Sequence, residues 1–214
     1  MEKTTLKTIN LPVEYEDIRG LRAGDIICLS GTLVTGRDEV HHRVIEEGIA
    51  PPVDLKGMAI YHAGPIVKET GDGISSYQSQ VPNLNSPLPT PHSPFSSCEL
   101  VSIGPTSSIR MEKWAAQFIK RTGVKIMIGK GGMGEKTREA CKEYGALHCV
   151  YPGGCAVLGA SQIEKIDGVF WNDLGMAECL WVMTAHRFGP LIVSIDAQGN
   201  NLFLENSLYY KSKL

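Results

Sequence analysis

The stretch KIMIGKGGMGEKTREACKEYGALHCVY, residues 125–151, decides the fold. Lys125 to Ile128 is a short apolar run of β character, and the glycines of GKGGMG break it. Glu135 to Tyr144 then follows as a helix, closed by Gly145, and His148 to Tyr151 resumes as a strand. Strand, glycine-bearing turn, helix and strand in this order predict an α/β fold with parallel pairings, because a helix crossover returns the chain to the same end of the sheet.

Working outward, PGGC forms a turn after Tyr151, and Ala156 to Ile163 reads as a helix. Val169 to Trp171, Leu180 to Thr184 and Pro190 to Ile195 supply further strands. On the N-terminal side, Arg110 to Thr122 places Trp114, Phe118 and Ile119 on one helical face. Leu100 to Ile103 reads as a strand that Gly104-Pro105 breaks. Ile26 to Leu29 and Gly31 to Thr35 read as two strand pieces, followed by a helix with Asp38 as its N-cap and Gly48 at its end. Met58 to His62 is a strand, and Ala63-Gly64-Pro65 a turn. Residues 1–23 read as a leader with acidic residues. The segment at about 70–98 holds five of the twelve prolines (Pro82, Pro87, Pro89, Pro91, Pro94) with many Ser and Asn, and reads as a surface loop inserted into a single domain, 1–214.

The composition narrows the function. With 21 basic against 23 acidic residues the net charge is −2, which gives no field for nucleic acid or an anionic membrane. An anionic ligand must therefore be met by a few local cations. There is no apolar run of membrane-spanning length and no signal peptide, so the expected location is cytoplasmic. Cys28, Cys98, Cys141, Cys149, Cys155 and Cys179 include no C-x-x-C pair, which argues against a disulfide framework and against a self-contained zinc or iron–sulfur site.

Three places set a glycine-bearing turn between a strand and a helix beside a cation or hydroxyl: Gly36-Arg37-Asp38 with His41 and His42 behind it, Gly104-Pro105-Thr106-Ser107-Ser108-Ile109-Arg110, and Gly129-Lys130-Gly131-Gly132-Met133-Gly134. Ligands of α/β sheets bind beyond the carboxyl ends of strands, where helix N-termini offer N–H groups. Arg grips a carboxylate through two donors and Lys acts as a point charge, so Arg37, Arg110 and Lys130 suit a substrate with two carboxylates. GKGGMG lacks the Ser or Thr after Lys that a phosphate loop needs. Each motif also has a plainer account: a tight turn, a surface ion pair, or a cap by Ser and Thr. Thr106 can act as a base only beside cations that lower its pKa.

With those motifs on the page, the chain resembles a known family. GTLVTGRDEVHHR (31–43), IYHAGPIV (60–67), VSIGPTSSIRME (101–112), FIKRTGVKIMIGKGGMG (118–134), ALHCVYPGGCAVLGASQ (146–162), DLGMAECLWV (173–182) and FGPLIVSIDAQGNNL (188–202) are similar to the iron–sulfur hydro-lyases. These comprise tartrate dehydratase beta subunits and the C-terminal regions of class I fumarases. The resemblance implies a swivelling β/β/α domain, with a mixed sheet and flanking helices, that closes over a cluster-binding alpha subunit in a heterodimer or heterotetramer. It places the 4Fe-4S cluster on that partner. It implies Arg37, Arg110 and Lys130 as substrate-binding residues, with Thr106 and His41 as catalytic ones, and GKGGMG and DLGMAECLWV stand closer to the tartrate enzymes. The expected reaction is loss of water from L-tartrate to give oxaloacetate. The alternative is hydration of fumarate to malate. In either, the cluster iron would act on the hydroxyl as a Lewis acid, and Thr106 or His41 would handle the proton. Two further readings stand beside these: a nucleotide- or anion-binding module on the glycine turns, and a non-catalytic subunit that kept the fold.

Overall fold

The computed structural model describes residues 6–69, 98–211 and 213. The loop expected at about 70–98 lies outside the described residues, Cys98 apart. The chain opens with β1 (Lys7–Asn10), α1 (Tyr15–Ile18), β2 (Ile26–Thr35), α2 (Asp38–Ile45) and β3 (Ala59–Tyr61). A hairpin of β4 (Ala63–Glu69) and β5 (Cys98–Pro105) follows, then a 3-10 turn at Ser108–Met111 and α3 (Glu112–Thr122). β6 (Ile126–Gly129), α4 (Glu135–Tyr144) and β7 (Leu147–Val150) form the expected crossover unit, with β6 and β7 parallel and Ile126 opposite Leu147. α5 (Ala156–Ser161), β8 (Ile163–Phe170), β9 (Leu180–Ile195) and α6 (Leu202–Lys211) complete the described chain.

The fold is mixed α/β with flanking helices, and its main sheet runs β1-β2-β3-β6-β7-β9-β8. β1, β2, β3, β6 and β7 pair in parallel, whereas β9 is antiparallel to β7, β8 and β2. The β2–β9 pairing, with Leu33 opposite Met183 and Ile26 opposite Ile192, joins the two ends of the β2-β3-β6-β7-β9 series into a ring. Closure leaves these five strands without a free edge, and only β1 and β8 flank the ring as edge strands among the described residues.

Period-two alternation divides the apolar residues between two cores. Along β6, Ile126 and Ile128 join Leu29, Leu33, Tyr61, Cys149, Trp181, Met183 and Phe188 in one cluster. Met127, between them, joins Ile60, Val34, Val40, Val44, Phe118, Ile119, Ala140 and Cys141 in the other, so α2, α3 and α4 pack on that face. Both faces of β6 are therefore dry, which is why its sequence is continuously apolar rather than alternating.

Several local expectations are corrected. Residues 6–23 are not a leader but part of the body: β1 pairs with β2, and Ile9, Leu11, Val13, Ile18 and Leu21 are buried. Arg37, not Asp38, is the N-cap of α2. Ala63-Gly64-Pro65 and Gly104-Pro105 do not interrupt strands but lie within β4 and β5, where Ala63 faces Pro105 and Pro65 faces Ile103. Proline is tolerated there because a two-stranded ribbon leaves half of its backbone N–H groups unpaired. The two apolar runs at 180–184 and 190–195 are one 16-residue strand, β9. Among the described residues no helix is long and apolar enough to cross a membrane.

Candidate active site

The polar motifs meet where the carboxyl ends of β2, β3, β5 and β6 come together. Backbone hydrogen bonds stitch them in sequence: Gly36 N–H donates to Tyr61 O (3.0 Å), and His62 N–H to Ile128 O (2.7 Å). Thr106 N–H donates to His62 O (2.6 Å), Lys130 N–H to Thr106 O (3.0 Å), and Ser108 N–H to Lys130 O (3.0 Å). Ser107 and Lys130 thus form a parallel bridge. Four segments distant in sequence, at 36, 61–62, 106–108 and 128–130, are held in register by their main chains, so residues 37, 106, 110 and 130 stand on or next to one hydrogen-bonded frame.

Each cation has a different setting. Arg37 pairs through Nη2 with Glu178 Oε1 at 3.0 Å, and its side chain is only 20% exposed. Its Nη1 lies against β4 at Gly64, where a Cβ would sit 2.7 Å away, so a larger residue there would push the guanidinium aside. The other Glu178 oxygen accepts the Glu39 N–H of the first turn of α2 (3.3 Å). Burial raises the Glu178 carboxyl above its ordinary range, while Arg37 draws it back. Arg110, 49% exposed, forks onto Asp38 with Nε–Oδ1 at 3.1 Å and Nη2–Oδ2 at 2.8 Å. That occupies one edge of the guanidinium and leaves the Nη1 side open. Lys130 is exposed and makes no ion pair among the described residues. Thr106 is half-buried, with its backbone bonded to His62 O and Lys130 N–H.

The glycine turn at 129–134 differs from expectation in one respect. Its helix N-terminus already holds a carboxylate: Glu112 accepts Gly134 N–H (2.8 Å), Thr137 N–H (3.3 Å) and the Thr137 hydroxyl (2.6 Å). A substrate anion at this site would be met by Lys130 rather than by these amides. Gly129 serves close approach, since a Cβ there would lie 2.0 Å from Ser108 Oγ.

His41 is wholly buried beneath Arg37, against Phe118 (ring centroids 4.3 Å apart) and near Trp114 (6.5 Å). Its Nδ1 lies 2.8 Å from Arg37 O. Burial lowers its pKa to about 4, so the imidazole is neutral at pH 7. It supports the frame from behind rather than facing the open side. Glu178, Glu112, His62 and Ser108 were not singled out as site residues from sequence, although Glu178 sits in the DLGMAECLWV motif and His62 in IYHAGPIV.

Among the described residues none are grouped as a metal cluster would need. The six cysteines are free and dispersed, with Cys28, Cys141, Cys149 and Cys179 buried. Among the described residues no three His, Cys, Asp or Glu side chains are placed to hold a metal ion.

The family model described as the fumarase C-terminus matches residues 1–78 and 90–206. The L(+)-tartrate dehydratase subunit beta of Escherichia coli (strain K12) is 46% identical over 207 residues, covering 97% of this chain and 91% of that one. A putative L(+)-tartrate dehydratase subunit beta of Methanocaldococcus jannaschii is 37% identical over 194 residues, 89% of this chain and 87% of the relative. A putative class I fumarate hydratase of Geobacillus stearothermophilus is 33% identical over 195 residues, which cover 91% of this chain but 33% of that longer protein.

Proposed function

The chain belongs to the fumarase C-terminus family, and from that premise we propose that it is the beta subunit of a hydro-lyase that converts L-tartrate to oxaloacetate and water. The observation that carries the reading is the meeting of Arg37, Thr106, Arg110 and Lys130 on one hydrogen-bonded frame, in a chain whose tartrate-named relative matches it nearly end to end. The partner is an alpha subunit, which in this reading holds the 4Fe-4S cluster. The chain acts as one swivelling unit, 1–214, in the cytoplasm.

The roles follow from the settings of the side chains. Arg110, with one edge fixed by Asp38, offers its free edge to one substrate carboxylate. Lys130, unpaired among the described residues, supplies a charge to the second. Arg37 adds positive charge at a fixed position, where negative charge grows on the carboxylate as the adjacent C–H proton leaves. Thr106 is joined through its backbone to Lys130, and in this reading the cations favour its alkoxide form, so its hydroxyl is the proton acceptor. His41, buried and neutral, carries Arg37 rather than the proton. Loss of the C–H proton and of the neighbouring hydroxyl leaves an enol, which becomes oxaloacetate.

The test is anaerobic co-production with the alpha subunit, followed by assays of oxaloacetate from L-tartrate and of malate from fumarate. The expected result is turnover only with both chains present, and tartrate favoured by more than about tenfold in kcat/KM. Preference for fumarate would replace the substrate assignment with the alternative. Full activity of this chain alone would overturn the two-subunit reading.

A further inference from the structure

Three histidines, His41, His62 and His148, are 0% exposed, and each has an Nε2 without a hydrogen-bond partner among the described residues. Their rings form a row, with centroids 5.2 Å apart between His41 and His62 and 6.5 Å between His62 and His148. Orphaned polar atoms in a dry core are costly, and an apolar residue would fill the same space without that cost. The row therefore calls for a reason beyond packing, and the Nδ1 side supplies one.

His41 Nδ1 lies 2.8 Å from Arg37 O, a group that can only accept, so Nδ1 carries the proton and donates. His62 stands edge-on to His41, with an interplanar angle of 73°. Its own Nδ1 is 3.0 Å from Ser108 Oγ, and its backbone oxygen accepts Thr106 N–H. Ser108 lies between Thr106 and Arg110 and rests on Gly129, where any Cβ would strike its hydroxyl and come within 3.1 Å of His62 Nδ1. A continuous buried line thus runs from the turn bearing Arg37 to the segments bearing Thr106, Arg110 and Lys130.

We propose that His41, His62 and Ser108 are positioning residues: a buried brace that sets the distance between Arg37 and the Thr106–Arg110–Lys130 side of the substrate site. None of the three touches substrate. Their effect passes through the Arg37 carbonyl at one end and the Thr106–Ser108 main chain at the other. Burial holds His41 near a pKa of about 4 and His62 well below the ordinary histidine value, so the brace keeps one charge state across neutral pH. The inference rests on the hydro-lyase reading for its kinetic consequence but not for its structural one.

The experiment uses the two-chain enzyme with Ser108→Ala, His41→Phe, His41→Asn and the Ser108→Ala/His41→Phe double variant. Phe fills the space among Phe118 and Trp114 without a donor, whereas the Asn amide can replace Nδ1 towards Arg37 O. We expect kcat/KM on L-tartrate to fall roughly ten- to a hundredfold in Ser108→Ala and in His41→Phe. The double variant should lose less than the product of the two, because one line is cut twice. His41→Asn should recover about tenfold or more over His41→Phe. In the same assembly, with only this chain labelled with 15N, the Arg37 Nε–H resonance should move in Ser108→Ala, although Ser108 does not contact Arg37. Variants that lower only the melting temperature, with wild-type kcat/KM and an unmoved Arg37 resonance, would overturn the brace. If the wild-type enzyme turns over no dicarboxylate, the functional reading fails by itself, and the Arg37 resonance still decides the brace.

Discussion

Two glycine turns, Gly36-Arg37-Asp38 and Gly129 to Gly134, occupy equivalent places at the carboxyl ends of β2 and β6, yet they hold their cations in opposite ways. In both, the following helix begins on a carboxylate from elsewhere in the chain: Glu178 at α2 and Glu112 at α4. At the first turn that carboxylate also pairs with the cation, so Arg37 is largely buried, ion-paired and backed by His41. At the second turn Glu112 faces away from the cation, and Lys130 stands exposed. The difference separates a charge built into the scaffold from one left exposed, and the proposed substrate contact falls on the exposed one. An ion pair removed from water must be complete to be tolerated, whereas an exposed ammonium costs the fold almost nothing.

Replacing Arg37 with Met should have the largest effect, because it damages both the fold and the site. Glu178 would keep its half-buried place without its partner, and we expect about 1–3 kcal/mol of lost stability together with a fall of a hundredfold or more in kcat/KM. Denaturant unfolding and steady-state kinetics on the same preparation check both halves. A stable, inactive variant would show that the Glu178 pair contributes nothing to the fold.

Glu112→Ala is the mirror experiment at the second turn. It removes the acceptor of three hydrogen bonds at the start of α4, and should cost about 1–2 kcal/mol of stability. Lys130 does not depend on this carboxylate, so kcat/KM should change less than about threefold. A large kinetic loss with little destabilisation would mean that Glu112 shapes the site directly.

A smaller effect follows from the buried histidines. Burial lowers His41 to about 4 and His148 to about 3, with His62 also held well below its ordinary value. Unfolding returns each to an ordinary pKa of about 6.5, so below that pH the unfolded chain binds protons that the folded chain refuses. This part of the stability is complete above pH about 6.5 and is lost as the pH falls towards 4. Unfolding midpoints measured from pH 8 to 5 should be level at first and then decline, with a shallower decline in His41→Phe. A level midpoint down to pH 5 would contradict the neutral, proton-refusing state of the row.

Sequence reading reached the unit at 125–151 because its first strand is continuously apolar, its second is apolar but for His148, and its helix has a glycine at each end. It reached Arg37, Thr106, Arg110 and Lys130 because each lies beside a glycine turn in a motif shared with the family. Ring closure was not legible, since it depends on β9 pairing with β2 across most of the chain, and Pro190 made one strand look like two. β1 was missed because the alternation of Ile9, Leu11 and Val13 is short and broken by Pro12. Glu178, His62 and Ser108 escaped for another reason. A carboxylate that caps a helix and pairs with a distant Arg, or a histidine that braces a serine, takes its meaning from neighbours that only the fold supplies.

The central claim is that Lys130 is a charge kept free for a substrate carboxylate, and Lys130→Met in the assembled two-chain enzyme tests it most directly. The account predicts a melting temperature and cluster content unchanged from wild type, with stability altered by less than about 0.5 kcal/mol. It also predicts kcat/KM on L-tartrate reduced roughly thirty- to a thousandfold, the loss of one charge-assisted contact in the transition state. Near-normal kcat/KM on tartrate, malate and fumarate alike would contradict it.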